Sequence, residues 1–162
     1  MAHLLQDTDE ITGFCQLLKN ENVRSYLEIG SFSGGSIELI AQYLPVGSRI
    51  VSIDLPSKHT KQIRLSQVLV GLKQRGYDTR LFVGDSTDPN MVRKANKFGP
   101  YDAVFIDGNH TLPYVSSDWK NYGPMGRIVG FHDIAKDKPP HGASSLWQQL
   151  KKEFRHVEFI SA

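Results

Sequence analysis

Glu28, Asp54, Asp85, Asp107, His132 and Asp133 share one position in this sequence: each lies at or just beyond the end of a short apolar run. Carboxylates and imidazoles are the groups that hold sugar hydroxyls, bind hard cations and move protons near neutrality. A cap for the following turn explains one or two such residues. One at the end of nearly every run is the pattern of a ligand-binding edge, because open α/β sheets bind ligands outside the carboxyl ends of their strands. The first run continues into Gly30-Ser31-Phe32-Ser33-Gly34-Gly35. Gly30 allows a tight turn, and Gly34 and Gly35 let a ligand approach the backbone at the start of a helix. This is neither the dinucleotide pattern G-x-G-x-x-G, since Phe32 takes the second glycine position, nor a P-loop, since no Gly-Lys-Ser/Thr follows. Asp54 closes the next run, where an acid can hold both hydroxyls of a ribose. Turn and acid together predict a nucleoside ligand. Asp107 and Asp133 close two later runs, and two carboxylates converging at one edge favour a hard cation.

The elements that must position these residues follow from periodicity. Helical apolar spacing predicts helices over 8–19, 34–44, 61–75, 90–97, 115–122 and 143–154. Short β-rich runs predict strands over 24–29, 48–53, 79–83, 101–106, 127–131 and 156–160. Strands alternating with helices imply βαβ units with right-handed crossovers. The expected fold is α/β, a doubly wound Rossmann-like sandwich on a mostly parallel sheet of six strands, with the first strand near the centre. The Lys- and Pro-rich stretch 136–142 reads as a surface loop, so 1–162 is expected to be a single domain.

Composition narrows the function classes. The chain has 162 residues, 40% hydrophobic and 22% charged, as a globular domain should. No apolar run approaches the ~20 residues of a membrane span. Residues 1–10 lack the apolar core of a secretory signal. The one cysteine, Cys15, excludes an internal disulfide and a cysteine-based zinc site and fits a reducing compartment, expected to be the cytoplasm. A net charge of +2 is too balanced to argue for nucleic acid. The basic run at 58–80 has no interleaved aromatic platform and reads as a solvated helix face. Trp119, Tyr122 and Trp147 read as packing residues.

Taken together, these segments resemble the class I S-adenosylmethionine-dependent methyltransferases, specifically their small-molecule O-methyltransferase branch. Leu27-Glu28-Ile29-Gly30-Ser31-Phe32-Ser33-Gly34-Gly35-Ser36 is similar to the first motif of that family, Ile50 to Asp54 to the second, and Gly84-Asp85-Ser86-Thr87-Asp88 to the adenine-side motif. Phe32 matches the branch that includes catechol O-methyltransferase. Val104 to His110 and Ile128 to Ile134 resemble the macrolide sugar O-methyltransferases and cephalosporin-hydroxylase-like proteins, as does Gly142 to Trp147. The likeness spans roughly 11–160.

The resemblance implies S-adenosyl-L-methionine as cofactor, held by Glu28, Gly30, Ser31, Phe32, Gly34 and Ser36 on the first turn, by Asp54 at the ribose, by Asp85 and Ser86 near the adenine, and by Asp107. It implies a small-molecule acceptor and places His110 as the general base, a role suited to an imidazole. It also implies a divalent metal, magnesium or manganese, on Asp107, His132 and Asp133. Relatives carry an acid at the middle position, and a histidine there suits manganese, iron or zinc better than magnesium. Two other readings compete: a non-catalytic or accessory cofactor-binding domain, and a nicotinamide-dependent oxidoreductase. The missing second glycine and the Asp107/Asp133 pair argue against the latter.

Relatives usually carry further N-terminal helices over the acceptor and a seven-stranded sheet. The expectation is therefore a cofactor-binding core with little lid and without the last strand. An open sheet edge favours homo-oligomerisation.

Overall fold

The computed structural model describes residues 8–56, 60–135 and 142–160. Among these, six α-helices alternate with five parallel strands in the order α1 (Thr8–Asn20), β1 (Ser25–Ile29), α2 (Gly35–Ile40), β2 (Arg49–Asp54), α3 (Thr60–Gln74), β3 (Asp78–Val83), α4 (Pro89–Phe98), β4 (Tyr101–Ile106), α5 (Leu112–Tyr122), β5 (Gly126–Phe131) and α6 (Gly142–Leu150). The sheet runs β3-β2-β1-β4-β5. The strand order reverses at β1, so the turns after β1 and β4 diverge and leave a crevice between them.

Side-chain alternation along the strands divides the core into two layers. Tyr26, Ile50, Ala103 and Phe105 pack with α1, α2 and α3. Leu27, Ile29, Val51, Ile53, Val104 and Ile106 pack with α4, α5 and α6. The register Ile29↔Ile53 and Ile29↔Ile106 ends β1, β2 and β4 at one level, which gathers the polar residues that follow them. Local signals set the helix ends. Asp88 accepts from the Asn90 N–H at 2.8 Å and Pro89 opens α4, a combination that supplies an acceptor for an orphan donor and a preset φ.

The structure corrects four expectations. The sheet has five strands among the described residues and not six, because 156–160 does not pair with β5. Its side chains are engaged elsewhere: the Trp147 indole N–H donates to Glu158 at 2.6 Å, His156 stacks edge-on against Trp147, and Phe159 covers Gly13 of α1. Helix α2 stops at Ile40, after which 41–44 form turns, and α6 stops at Leu150. Helix α5 begins at Leu112, with Pro113 in its first turn. Residues 136–141 of the expected surface loop lie outside the described residues.

Candidate functional site

The turn after β1 is built on close approach. Gly30 has φ +87°, and a β-carbon placed there would lie 2.2 Å from the carbonyl oxygen of Asp107. Only glycine brings the β1 and β4 turns this near. The Gly30 N–H donates to the Ile53 carbonyl and the Asp107 N–H to the Ile29 carbonyl, both at 2.9 Å. Phe32 also sits in the left-handed region, at φ 50°, with the Lys61 ammonium 3.9 Å from its ring centroid. A non-glycine residue held there costs free energy that the surrounding structure must offset.

Beneath this turn lies Glu28, 0% exposed. It accepts from the Tyr26 hydroxyl and, at 2.6 Å, from the Ser36 hydroxyl. Burial pushes its pKa up to about 7; the Ser36 and Tyr26 bonds oppose the shift and Asp107 adds to it. Glu28 thus braces the turn from inside. Ser31 and Ser52 form a second buried brace at 2.7 Å. Asp54, at the end of β2, accepts from the Leu55 N–H at 2.8 Å. Burial raises its pKa, against hydrogen bonds from the Leu55 and Phe32 N–H groups and the nearby Lys61 charge. The acid expected at a ribose is thereby tied to the turn it faces.

After β3, the Gly84 N–H donates to the Asp54 carbonyl at 2.9 Å, which sets Asp85 and Ser86 beside the end of β2. Asp85 accepts from both the N–H and the hydroxyl of Thr87 at 2.8 Å. The Tyr122 hydroxyl donates to the Ser86 carbonyl at 2.6 Å.

The ends of β4 and β5 bring four functional side chains together. His132 Nδ1 is 3.0 Å from Asp107 Oδ1 and 3.3 Å from Asp133 Oδ1. His110 Nδ1 is 3.5 Å from Asp133 Oδ2, and its Nε2 is 3.7 Å from Asp107 Oδ1. Asp107, His110 and His132 each offer one donor atom, all within 4.8 Å of one another. Asp133 is held at φ 59°, in the left-handed region, and its carboxylate reaches both histidines. A cavity of about 970 Å³ runs along the outer side of β5, its wall reaching His132 and Asp133.

The sequence-predicted residues therefore form two connected groups: the turn with Glu28, Gly30, Ser31, Phe32, Gly34, Ser36 and Asp54, and the cluster of Asp107, His110, His132 and Asp133. Asp85 and Ser86 flank the first group. Sequence reasoning missed Asp118, which is 0% exposed on α5. The signal for it was an acid on the apolar stripe Val115-Asp118-Tyr122, all three buried.

A family model described as a methyltransferase domain matches residues 27–134, well over half of the chain. The chain belongs to that family. Two curated relatives of this methyltransferase domain are the mycinamicin VI 2''-O-methyltransferase of Micromonospora griseorubida, 28% identical, and the demethylmacrocin O-methyltransferase of Streptomyces fradiae, 29% identical. Both matches cover 72% of this chain but 27% and 28% of those proteins, so the domain spans about a quarter of their length. Among solved structures it resembles the O-methyltransferase TomG from Streptomyces achromogenes in complex with SAM, with a TM-score of 0.71 and 19% identity over 92% of this chain and 69% of that one. The O-methyltransferase from Bacillus cereus in complex with SAH gives a TM-score of 0.65 and 18% identity over 94% and 73%. These likenesses establish the fold. No helix among the described residues of the methyltransferase domain is long and apolar enough to cross a membrane.

Proposed function

We propose that this domain transfers the methyl group of S-adenosylmethionine to a hydroxyl oxygen of a small molecule. The observation that carries this reading is the convergence of Asp107, His110, His132 and Asp133 on one another, next to a glycine turn whose Gly30 is pressed against the Asp107 backbone. The solved relatives bound to SAM and SAH, and the two macrolide O-methyltransferases, support the cofactor and the acceptor atom.

S-Adenosylmethionine supplies an electrophilic methyl on a sulfonium. Transfer breaks the carbon–sulfur bond, whose electron pair stays on sulfur, and forms a carbon–oxygen bond at the acceptor. The chain must align the two and take up the hydroxyl proton. Asp54 would hold the ribose hydroxyls, and the Gly30 turn would take the methionine end. Asp133 Oδ2 keeps the proton of His110 on Nδ1 and leaves Nε2 to accept the proton from the acceptor. The spacings of 3.5 and 3.7 Å have room to tighten on substrate.

A divalent cation fits the same end of the sheet. Asp107, His132 and Asp133 would hold it, and two carboxylates with an imidazole favour manganese or zinc over magnesium. When bound, it lowers the pKa of an acceptor hydroxyl. The cavity beside β5 gives an acceptor a route to His132 and Asp133.

The test is formation of S-adenosylhomocysteine from S-adenosylmethionine in the presence of manganese and a panel of sugars, catechols, amino acids and nucleosides. Calorimetry with S-adenosylhomocysteine and NAD runs beside it. Tight NAD binding with no response to S-adenosylhomocysteine overturns the reading.

A further inference from the structure

His110 is held by its backbone as well as by its side chain. Its carbonyl accepts a hydrogen bond from the N–H of Gly142, the residue that opens α6. The first N–H groups of a helix have no partner within it, and here the loop that carries the imidazole satisfies one of them. The approach is close. A β-carbon placed on Gly142 would lie 2.1 Å from the Leu112 N and 2.2 Å from its Cα. Leu112 opens α5, so only glycine lets the first turn of α6 meet the backbone between β4 and α5. Both helices are anchored, since Ala143, Leu146 and Leu150 of α6 share one core cluster with Val115 and Tyr122 of α5.

We propose that Gly142 is a positioning residue for the base, fixing where His110 stands relative to Asp107 and Asp133. The proposal rests on the reading of His110 as the base. Other bonds fix the two ends of its loop. The Asp107 N–H donates to the Ile29 carbonyl at 2.9 Å, so the loop leaves β4 from a set point. Asn109 accepts from the Thr111 N–H at 3.0 Å, and the Thr111 carbonyl accepts from the Val115 N–H at 3.0 Å, which ties the far end to α5. His110 stands between these points, and α6 pins its carbonyl. From that backbone the imidazole comes within 3.5 Å of Asp133 and 3.7 Å of Asp107. Moving the backbone carries the ring off both acids, and misplacing a reacting group by about 1 Å can cost about 10²-fold in rate.

Glycine is needed at 142 for space, because what a side chain meets there is the backbone of the next element. An added methyl therefore acts through Leu112 and the base loop. By helix propensity alone alanine would favour α6, so a loss in Gly142→Ala has the opposite sign to the local effect.

The first arm of the test needs no acceptor. Diethyl pyrocarbonate modifies imidazoles, and mass spectrometry of the cleaved chain gives the rate at His110 against added N-acetylhistidine. The His110 side chain is 30% exposed. Gly142→Ala is expected to raise its rate severalfold as the ring leaves the two acids. Ala143→Gly loosens the same helix turn without crowding Leu112 and is expected to leave the rate unchanged. Affinity for S-adenosylhomocysteine should be unchanged in both. With an acceptor from the panel above, Gly142→Ala should lower kcat about 10²-fold at constant KM for S-adenosylmethionine. It should cost nothing further in a His110→Ala background.

Isotopic labelling of the glycine nitrogens adds a measurement on the wild type, which does not depend on a variant folding. The Gly142 amide should exchange with solvent far more slowly than a free helix-end N–H. An unprotected Gly142 amide, an unchanged His110 rate in Gly142→Ala, or an equal rise in Ala143→Gly overturns the proposal. Full turnover in His110→Ala removes the base reading and the proposal with it. That failure is told apart because His110 labelling still responds to Gly142→Ala.

Discussion

His132 Nδ1 lies 3.0 Å from Asp107 Oδ1, so the ends of β4 and β5 meet through side chains as well as through the strand ladder. This contact sets one ring nitrogen against two carboxylates, since the same Nδ1 lies 3.3 Å from Asp133 Oδ1. It also brings His110, which leaves the β4 turn, within reach of both acids.

His110→Ala should lower turnover by about 10²- to 10⁴-fold, the usual contribution of a positioned acid or base. Affinity for S-adenosylhomocysteine should stay within about twofold, since His110 faces Asp107 and Asp133 and not the glycine turn. Methyl transfer and calorimetry on the same preparation check this. Equal loss of both quantities would refute the base assignment.

Asp107→Asn should weaken manganese binding about tenfold or more, and so should His132→Ala. His110→Ala should leave it largely intact, because the proposed ligands are Asp107, His132 and Asp133. Manganese titration followed by electron paramagnetic resonance measures this without any turnover. If His110→Ala abolishes binding as Asp107→Asn does, the histidine is a ligand and the base must be sought elsewhere.

Gly30→Ala should destabilise the fold by about 2–5 kcal/mol, combining left-handed strain with overpacking. The clash is with backbone of the Asp107 turn, 2.2 Å away, which cannot move without shifting β4. Urea denaturation gives the loss directly. A variant as stable as the wild type would mean that the two turns are not held this close.

Glu28 gives the chain a defined pH dependence. Its pKa is about 7 folded against an ordinary 4.5, so the folded state holds the proton more tightly. This contribution is full below about pH 4.5, declines as pH rises toward 7 and is flat above that. Glu28→Gln removes it. The stability of the variant relative to wild type should therefore rise between pH 4.5 and pH 8, by up to about 3 kcal/mol. Denaturation curves at the two pH values test this, and a pH-independent difference would show that Glu28 does not titrate in this window.

Much of the architecture was legible in the sequence because it rests on local signals. Apolar periodicity, punctuated by breakers such as Gly47 and Gly76, both at positive φ, placed β1 to β5 and most helices. Most of the polar residues at strand ends were readable for the same reason: a buried parallel strand is largely apolar, so a change to Asp or His marks where it emerges, whereas Glu28 stays buried within β1. Whether the residues at 156–160 form a strand was not readable. Their alternation fits one, but Trp147 and Gly13 engage the segment from other elements, Gly13 from the far end of the chain.

The sequence by itself determined the α/β class, the glycine turn and the chemical types at the crevice, since these depend on residue identity and near-neighbour spacing. Only the tertiary structure decided how those groups meet. It turned Glu28 inward as a brace, drew His110 and His132 onto the same two carboxylates, and set Asp118 beneath Gly108. Each of these depends on how separate turns come together across the sheet, and that is set by strand register and the close approach at Gly30.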